Sequence, residues 1–106
     1  MTRKWEVTVC LRRSTNGKSE LSSQEQRALL RELAGLDPRP ADCIFEDDYM
    51  IDRDDAEIVA RILYVTESPT RFEAQTHADA VIKKLEGVLA AAKLRVHSFS
   101  VEGTSN

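Results

Sequence analysis

The stretch Asp42-Cys-Ile-Phe-Glu-Asp-Asp-Tyr-Met-Ile51, Asp52-Arg-Asp-Asp55, Ala56-Glu-Ile-Val-Ala-Arg-Ile-Leu-Tyr-Val-Thr66 decides the fold. β-branched and aromatic residues crowd both flanks, and aspartates favour a turn between them, so residues 42–51 and 56–66 read as a hairpin around 52–55. Setting Ile51 opposite Ala56 places Tyr49 opposite Ile58, Phe45 opposite Ile62 and Cys43 opposite Tyr64, an apolar face interrupted only by Asp47. The other face then carries Ile44, Glu46, Asp48 and Met50 against Glu57, Val59, Arg61, Leu63 and Val65. Glu46 falls opposite Arg61, and that pairing of opposite charges supports the register.

Upstream, Trp5, Val7, Val9 and Leu11 alternate with Lys4, Glu6, Thr8, Cys10 and Arg12, the period of a half-buried strand over 4–12. A turn-rich stretch follows, and Ser22 with Glu25 three positions on is a capping box opening a helix over 23–35. Leu29, Leu30, Leu33 and Leu36 form its apolar stripe, and Gly35 and Pro38 close it. Downstream of the hairpin, Ser68-Pro69 and the pair Thr70 and Glu73 open a second helix, whose stripe of Ala78, Val81, Leu85, Val88 and Ala92 runs to about 92. Leu94 to Glu102 is a last strand, and residues 103–106 are expected to be a flexible tail.

The order βαββαβ resembles the ferredoxin-like split-βαβ architecture over nearly the whole chain. The resemblance implies an α+β sandwich in one domain, 1–106, with a four-stranded antiparallel sheet in the order 4-1-3-2 and two helices on one face. Trp5, Val7, Val9, Phe45, Tyr49, Ile58 and Ile62 would then pack under the helices together with Leu33 and Val81. Such a fold hosts many unrelated functions, so the site must be argued from its residues.

A length of 106 residues suits one domain of ordinary size, and 42% hydrophobic with 31% charged residues describes a soluble globular chain of net charge −3. No apolar run approaches the roughly 18 residues that span a bilayer, and the start Met-Thr-Arg-Lys-Trp-Glu lacks the apolar core of a signal peptide. A cytoplasmic protein without membrane contact is therefore expected. Cys10 and Cys43 are expected on opposite sheet faces as two unpaired thiols, buried or half-buried.

The face away from the helices would display Lys4, Glu6, Thr8, Cys10 and Arg12 beside an apolar patch of Ile44, Val59, Leu63 and Val65, extended by Met50, Phe99 and Val101. A contiguous patch of that kind marks an interface, so the first expectation is a non-enzymatic interaction or regulatory module acting as a homodimer or with a protein partner. An enzymatic alternative resembles the dimeric α/β-barrel proteins, in which two open sheets enclose a small-molecule pocket. His97, Arg61 and Cys10 would then be the catalytic candidates. A third reading rests on residues 46–57, where seven carboxylates face one arginine: such an arm mimics nucleic-acid charge and would make the chain an inhibitor of a nucleic-acid-binding partner.

The same arm repels phosphate backbones, and the expected open positions Thr8, Cys10, Arg61 and Leu63 lack the aromatics with which such sheets stack RNA bases. Nucleic acid is not an expected partner. Gly17-Lys18-Ser19 sits where a phosphate loop would, but Arg12 stands where the Walker pattern needs glycine, which leaves only a basic anion-binding cluster of Arg12, Arg13 and Lys18. The acidic run lacks the glycine and ligand order of a calcium loop, and no metal or cofactor is expected. His77 reads as a helix-surface residue beside Glu73.

Overall fold

The computed structural model describes residues 1–14, 21–51 and 57–104, with the side chains of 47–51 and 57 excepted. Six elements follow in order: β1 (Arg3–Arg13), α1 (Ser23–Ala34), β2 (Asp42–Ile51), β3 (Glu57–Ser68), α2 (Arg71–Ala91) and β4 (Leu94–Gly103). The strands form one antiparallel sheet in the order β2-β3-β1-β4, which is the expected 4-1-3-2 read from the other edge.

β1 occupies the centre because its alternation lets it serve two neighbours at once. Its odd residues Trp5, Val7, Val9 and Leu11 are buried, and opposite them on β3 stand Thr66, Tyr64, Ile62 and Ala60. Leu29 and Leu33 of α1 and Ala74, Ala78, Ile82, Leu85 and Leu89 of α2 join the same core. Leu30 stays exposed, and α2 buries Ile82 and Leu89 in place of the expected Val88. Phe45, Cys43 and Val81 pack against the core half-buried.

Capping follows the sequence closely. Ser22 accepts from the Glu25 N–H while the Glu25 side chain accepts from the Ser22 N–H, closing the reciprocal box. Thr70 caps α2 by accepting from Glu73, and Pro69 therefore lies just outside the helix rather than in its first turn. α2 ends with Lys93 at φ 59, a left-handed position that glycine usually fills. At the other end of β1, the Trp5 indole donates to the Ser68 carbonyl, and Arg3 and Arg71 lie 5.2 and 5.5 Å from its ring centroid.

Three local expectations are corrected. The hairpin pairs Phe45 with Ala60 and Cys43 with Ile62, two residues from the expected register, and an irregularity before Met50 resets the pairing to Met50 with Ile58 and Ile51 with Glu57. An even shift keeps Cys43 and Phe45 on the helix side, which is why the apolar pattern alone cannot distinguish the two registers. The turn itself, 52–55, lies outside the described residues.

The second correction concerns β4, where the register slips between Cys10 opposite Ser98 and Leu11 opposite Val96, leaving His97 as the extra residue of a bulge. Phe99 and Val101 consequently stand opposite Val9 and Val7 on the helix side, not on the open face. The third concerns the C-terminus. β4 includes Gly103, and the Thr104 N–H and hydroxyl both donate to the Lys4 carbonyl, so the sheet extends into the expected tail.

Two measurements follow from this packing. Ile62 is fully buried, so Ile62→Ala should cost about 2–5 kcal/mol in chemical denaturation, whereas the half-buried Phe45 should cost less on truncation than a core phenylalanine's about 3–5 kcal/mol. Lys93→Gly should raise stability by about 0.5–1 kcal/mol, because relief of the left-handed strain exceeds the added freedom of the unfolded chain. A destabilised glycine variant would contradict that account.

Candidate functional site

The open face is built from the even residues of β1 and their cross-strand neighbours. Lys4 stands opposite Glu67; Glu6 lies between Val65 and Glu102; Thr8 between Leu63 and Ser100; Cys10 between Arg61 and Ser98; and Arg12 beside Arg95. β2 adds Asp42 opposite Leu63 and Ile44 opposite Arg61. Directly opposed residues project from the same side of a sheet, so these groups share one surface.

The apolar part of that surface is smaller than expected. Val65 is 55% exposed, Ile44 39%, and Leu63 half-buried. Val59 is only 2% exposed and belongs to the core: Ile58, Val59 and Ala60 are buried in succession, so both sides of β3 are covered at that end. The expected patch thus keeps Ile44, Leu63 and Val65 and loses Val59. The Met50 side chain lies outside the described residues.

The catalytic candidates are only partly brought together. Cys10 and Arg61 are direct cross-strand neighbours, but both Nε and an Nη of Arg61 donate to one Glu46 oxygen at 2.8 Å. Arg61 reaches Glu46 diagonally, so the ion pair expected from the sequence forms although Ile44 is the residue directly opposite. His97 occupies the bulge, half-buried, and borders an open groove of about 720 Å³ with Arg12, Arg95 and Glu86 along the outer edge of β4. Ser98, not His97, stands opposite Cys10.

The anion cluster of Arg12, Arg13 and Lys18 does not assemble among the described residues. Successive strand residues face opposite sides, and Arg13 forms a two-pronged pair with Glu25 at 3.1 and 3.2 Å, so its charge is spent on the first turn of α1. Lys18, with Gly17 and Ser19, lies outside the described residues. Cys43 sits on the helix side, where burial and then the neighbouring Asp42 charge push its thiol up to about 11, making it a poor nucleophile at neutral pH. Both cysteines are free.

The sequence reading missed the arrangement of charge along the open face. Glu6 stands directly opposite Glu102, and six residues along the same two strands Arg12 stands directly opposite Arg95. Like charges so placed are unfavourable, and none of these four side chains forms an ion pair with a described residue. Along β1 and β4 the charge thus changes sign from the Glu6–Glu102 pair to the Arg12–Arg95 pair, while Lys4 stands opposite Glu67 and Arg61 is paired with Glu46; β2 ends and β3 begins at the end where Arg12 stands, so the acidic run 46–57 belongs to that end too. The signal was present in the spacing, but it becomes visible only once the β4 bulge fixes Arg95 beside Arg12.

Among the described residues, no group of three or more His, Cys, Asp or Glu side chains is placed to hold a metal ion, and no helix is long and apolar enough to cross a membrane. No protein-family model, curated protein or solved structure matches this chain.

The Arg13 pair and the Ser22 N–H hold the Glu25 carboxyl down from its ordinary 4.5 to about 2. A depressed carboxyl contributes stability above its ordinary value and loses it as pH falls toward the folded one. The melting temperatures of the parent and of Glu25→Gln should therefore differ at pH 7 and converge between about 4.5 and 2. A difference that stayed constant down to pH 2 would remove the charge from the explanation.

Proposed function

We propose that this chain is a non-enzymatic interaction or regulatory module on the ferredoxin-like split-βαβ plan, working as a homodimer through the open face of its sheet. One observation carries the reading: the Glu6–Glu102 and Arg12–Arg95 pairs lie at opposite ends of β1 and β4, with Thr8, Ser100, Cys10 and Ser98 between them and the apolar side chains Ile44, Leu63 and Val65 beside them on β2 and β3. Two such faces related by a two-fold axis that lies between them and crosses the strands have opposite strand directions. The axis passes near Thr8 and Cys10, and the Glu6–Glu102 pair of each copy then meets the Arg12–Arg95 pair of the other. Each like-charge pair, unfavourable alone, becomes one half of a compensated cluster.

A four-stranded face about 30 Å long offers roughly 600 Å² per copy. That is below the about 800 Å² of a standard interface, so the dimer is expected to be modest in affinity and weakened by salt. A protein partner of the same bipolar pattern would fit the face equally well, and a strictly monomeric chain at high concentration would direct attention to one.

Sedimentation provides the test. Leu63→Glu places an added carboxylate beside Asp42 and among the apolar side chains Ile44 and Val65, and should convert the dimer to monomer with the fold intact. Arg95→Glu and Glu102→Arg should each weaken association by about tenfold or more, and the double variant should recover most of the loss, since the exchanged charges meet again across the axis. Independent, additive losses would refute the two-fold arrangement.

A further inference from the structure

The open groove of about 720 Å³ along the outer edge of β4 owes its charge to the bulge at His97. By admitting one extra residue, the bulge sets Arg95 directly opposite Arg12. Cβ atoms of directly opposed residues lie roughly 4.5–5.5 Å apart, so two guanidinium groups line the groove side by side. Ser14 and His97 line it with them, and Glu86 of α2 is the one carboxylate among its described lining residues. Arg13 pairs with Glu25, whereas neither Arg12 nor Arg95 forms an ion pair with a described residue.

Two planar donor forks held this close fit one tetrahedral dianion, each giving N–H groups to different oxygens. A monocarboxylate has only one charge to set against the pair. A long polyanion fits less well, because the acidic run 46–57 belongs to the same end of the sheet and repels a phosphate chain that approaches it. A small ion on β4 escapes that repulsion. Three strand spacings, about 14 Å, separate β4 from β2, more than the Debye length of about 8 Å at physiological salt. Glu86 disfavours a second anionic group in the groove and accepts from hydroxyls, so the remainder of the ligand is neutral and hydroxylated.

We propose that Arg12 and Arg95 bind the phosphate group of a small hydroxylated phosphate monoester, and that this ligand dissociates the dimer by occupying the pair that the partner copy's Glu6–Glu102 pair would meet. The regulatory half rests on the dimer proposed above. The binding half does not, because the groove is complete in one copy. Ligand and second copy compete for one arginine pair, so each weakens the other by the same factor.

The test combines a ¹⁵N-resolved NMR titration of Leu63→Glu with sedimentation of the parent, using ribose 5-phosphate, ribose and a single-stranded RNA pentamer at an ionic strength fixed with sodium chloride. Ribose 5-phosphate should give saturable shifts confined to the amides of residues 12–14 and 94–97, and ribose should give none. Arg12→Gln and Arg95→Gln should each weaken binding by about tenfold, the worth of a charge-assisted hydrogen bond. Neither should lower the melting temperature, since each removes a like-charge neighbour. In the parent, saturating ribose 5-phosphate should raise the dimer dissociation constant by about tenfold or more, beyond the effect of chloride at equal ionic strength. Absence of saturable shifts, or shifts that survive both glutamine substitutions, would overturn the site. RNA binding tighter than ribose 5-phosphate would overturn the ligand class, and a dimer constant unchanged at saturation would overturn the regulation. A parent that is monomeric at every concentration would refute the dimer and the regulation with it, while the titration still decides the site.

Discussion

The constraint on which the remaining structure depends is the register of β1 between β3 and β4. Its odd residues are buried against both helices while its even residues line the opposite surface, and a slip of one position would exchange the two sets. Burial of Trp5, Val7, Val9 and Leu11 thus also fixes where Glu6, Cys10 and Arg12 point. Core and candidate interface are two consequences of one alternation. The Trp5 indole reinforces it by tying β1 to the Ser68 carbonyl, with Arg71 anchoring the start of α2 to the Val101 carbonyl across the same ring.

Much of this was legible in the sequence because the signals are local. Ser22 with Glu25, Thr70 with Glu73 and the alternation of β1 each specify a helix start or a strand within a few residues, and each stands where the spacing predicts. The signals that failed are those in which one residue changes the meaning of all that follow. β4 buries Leu94 and Val101 with Val96 half-buried between them, a spacing that no strict two-residue period can place on one face. Only a bulge reconciles it, and the bulge falls at His97, the residue for which strict alternation suggested a place on the open face. Val59 fails for another reason: its exposure depends on what covers the far end of β3, and alternation is silent on that.

Charge divides along the same line. Arg13 pairs with Glu25 and Arg61 with Glu46, so two of the arginines that invite a functional reading in the sequence carry an ion-pair partner within the domain. Such partly exposed pairs contribute little to stability each, but they remove those cations from the pool available to a ligand. The groups left over are the like-charged neighbours Glu6 with Glu102 and Arg12 with Arg95. Among the described residues the sheet pairs Arg13 and Arg61 with carboxylates yet retains two like-charge pairs about 20 Å apart, roughly six residues of strand.

The helix side tells a parallel story in apolar terms. β2 begins opposite Leu63, so the end of β3 from Val65 to Ser68 has no strand on that flank, and the segment between α1 and β2 covers the gap with Pro38 and Arg39. A loop cannot fill such a gap with the density of a strand and helix packed face to face, because its backbone must keep its polar groups hydrogen-bonded while it crosses. The Ala41 N–H donates to the Leu63 carbonyl, and the Arg39 side chain donates to the Ala34 carbonyl at the end of α1. The pocket bordered by Pro38, Arg39 and Tyr64 has its origin in the unequal lengths of β2 and β3. Past Leu63, β3 is thus flanked by β1 on one side and by the Pro38–Arg39 segment on the other.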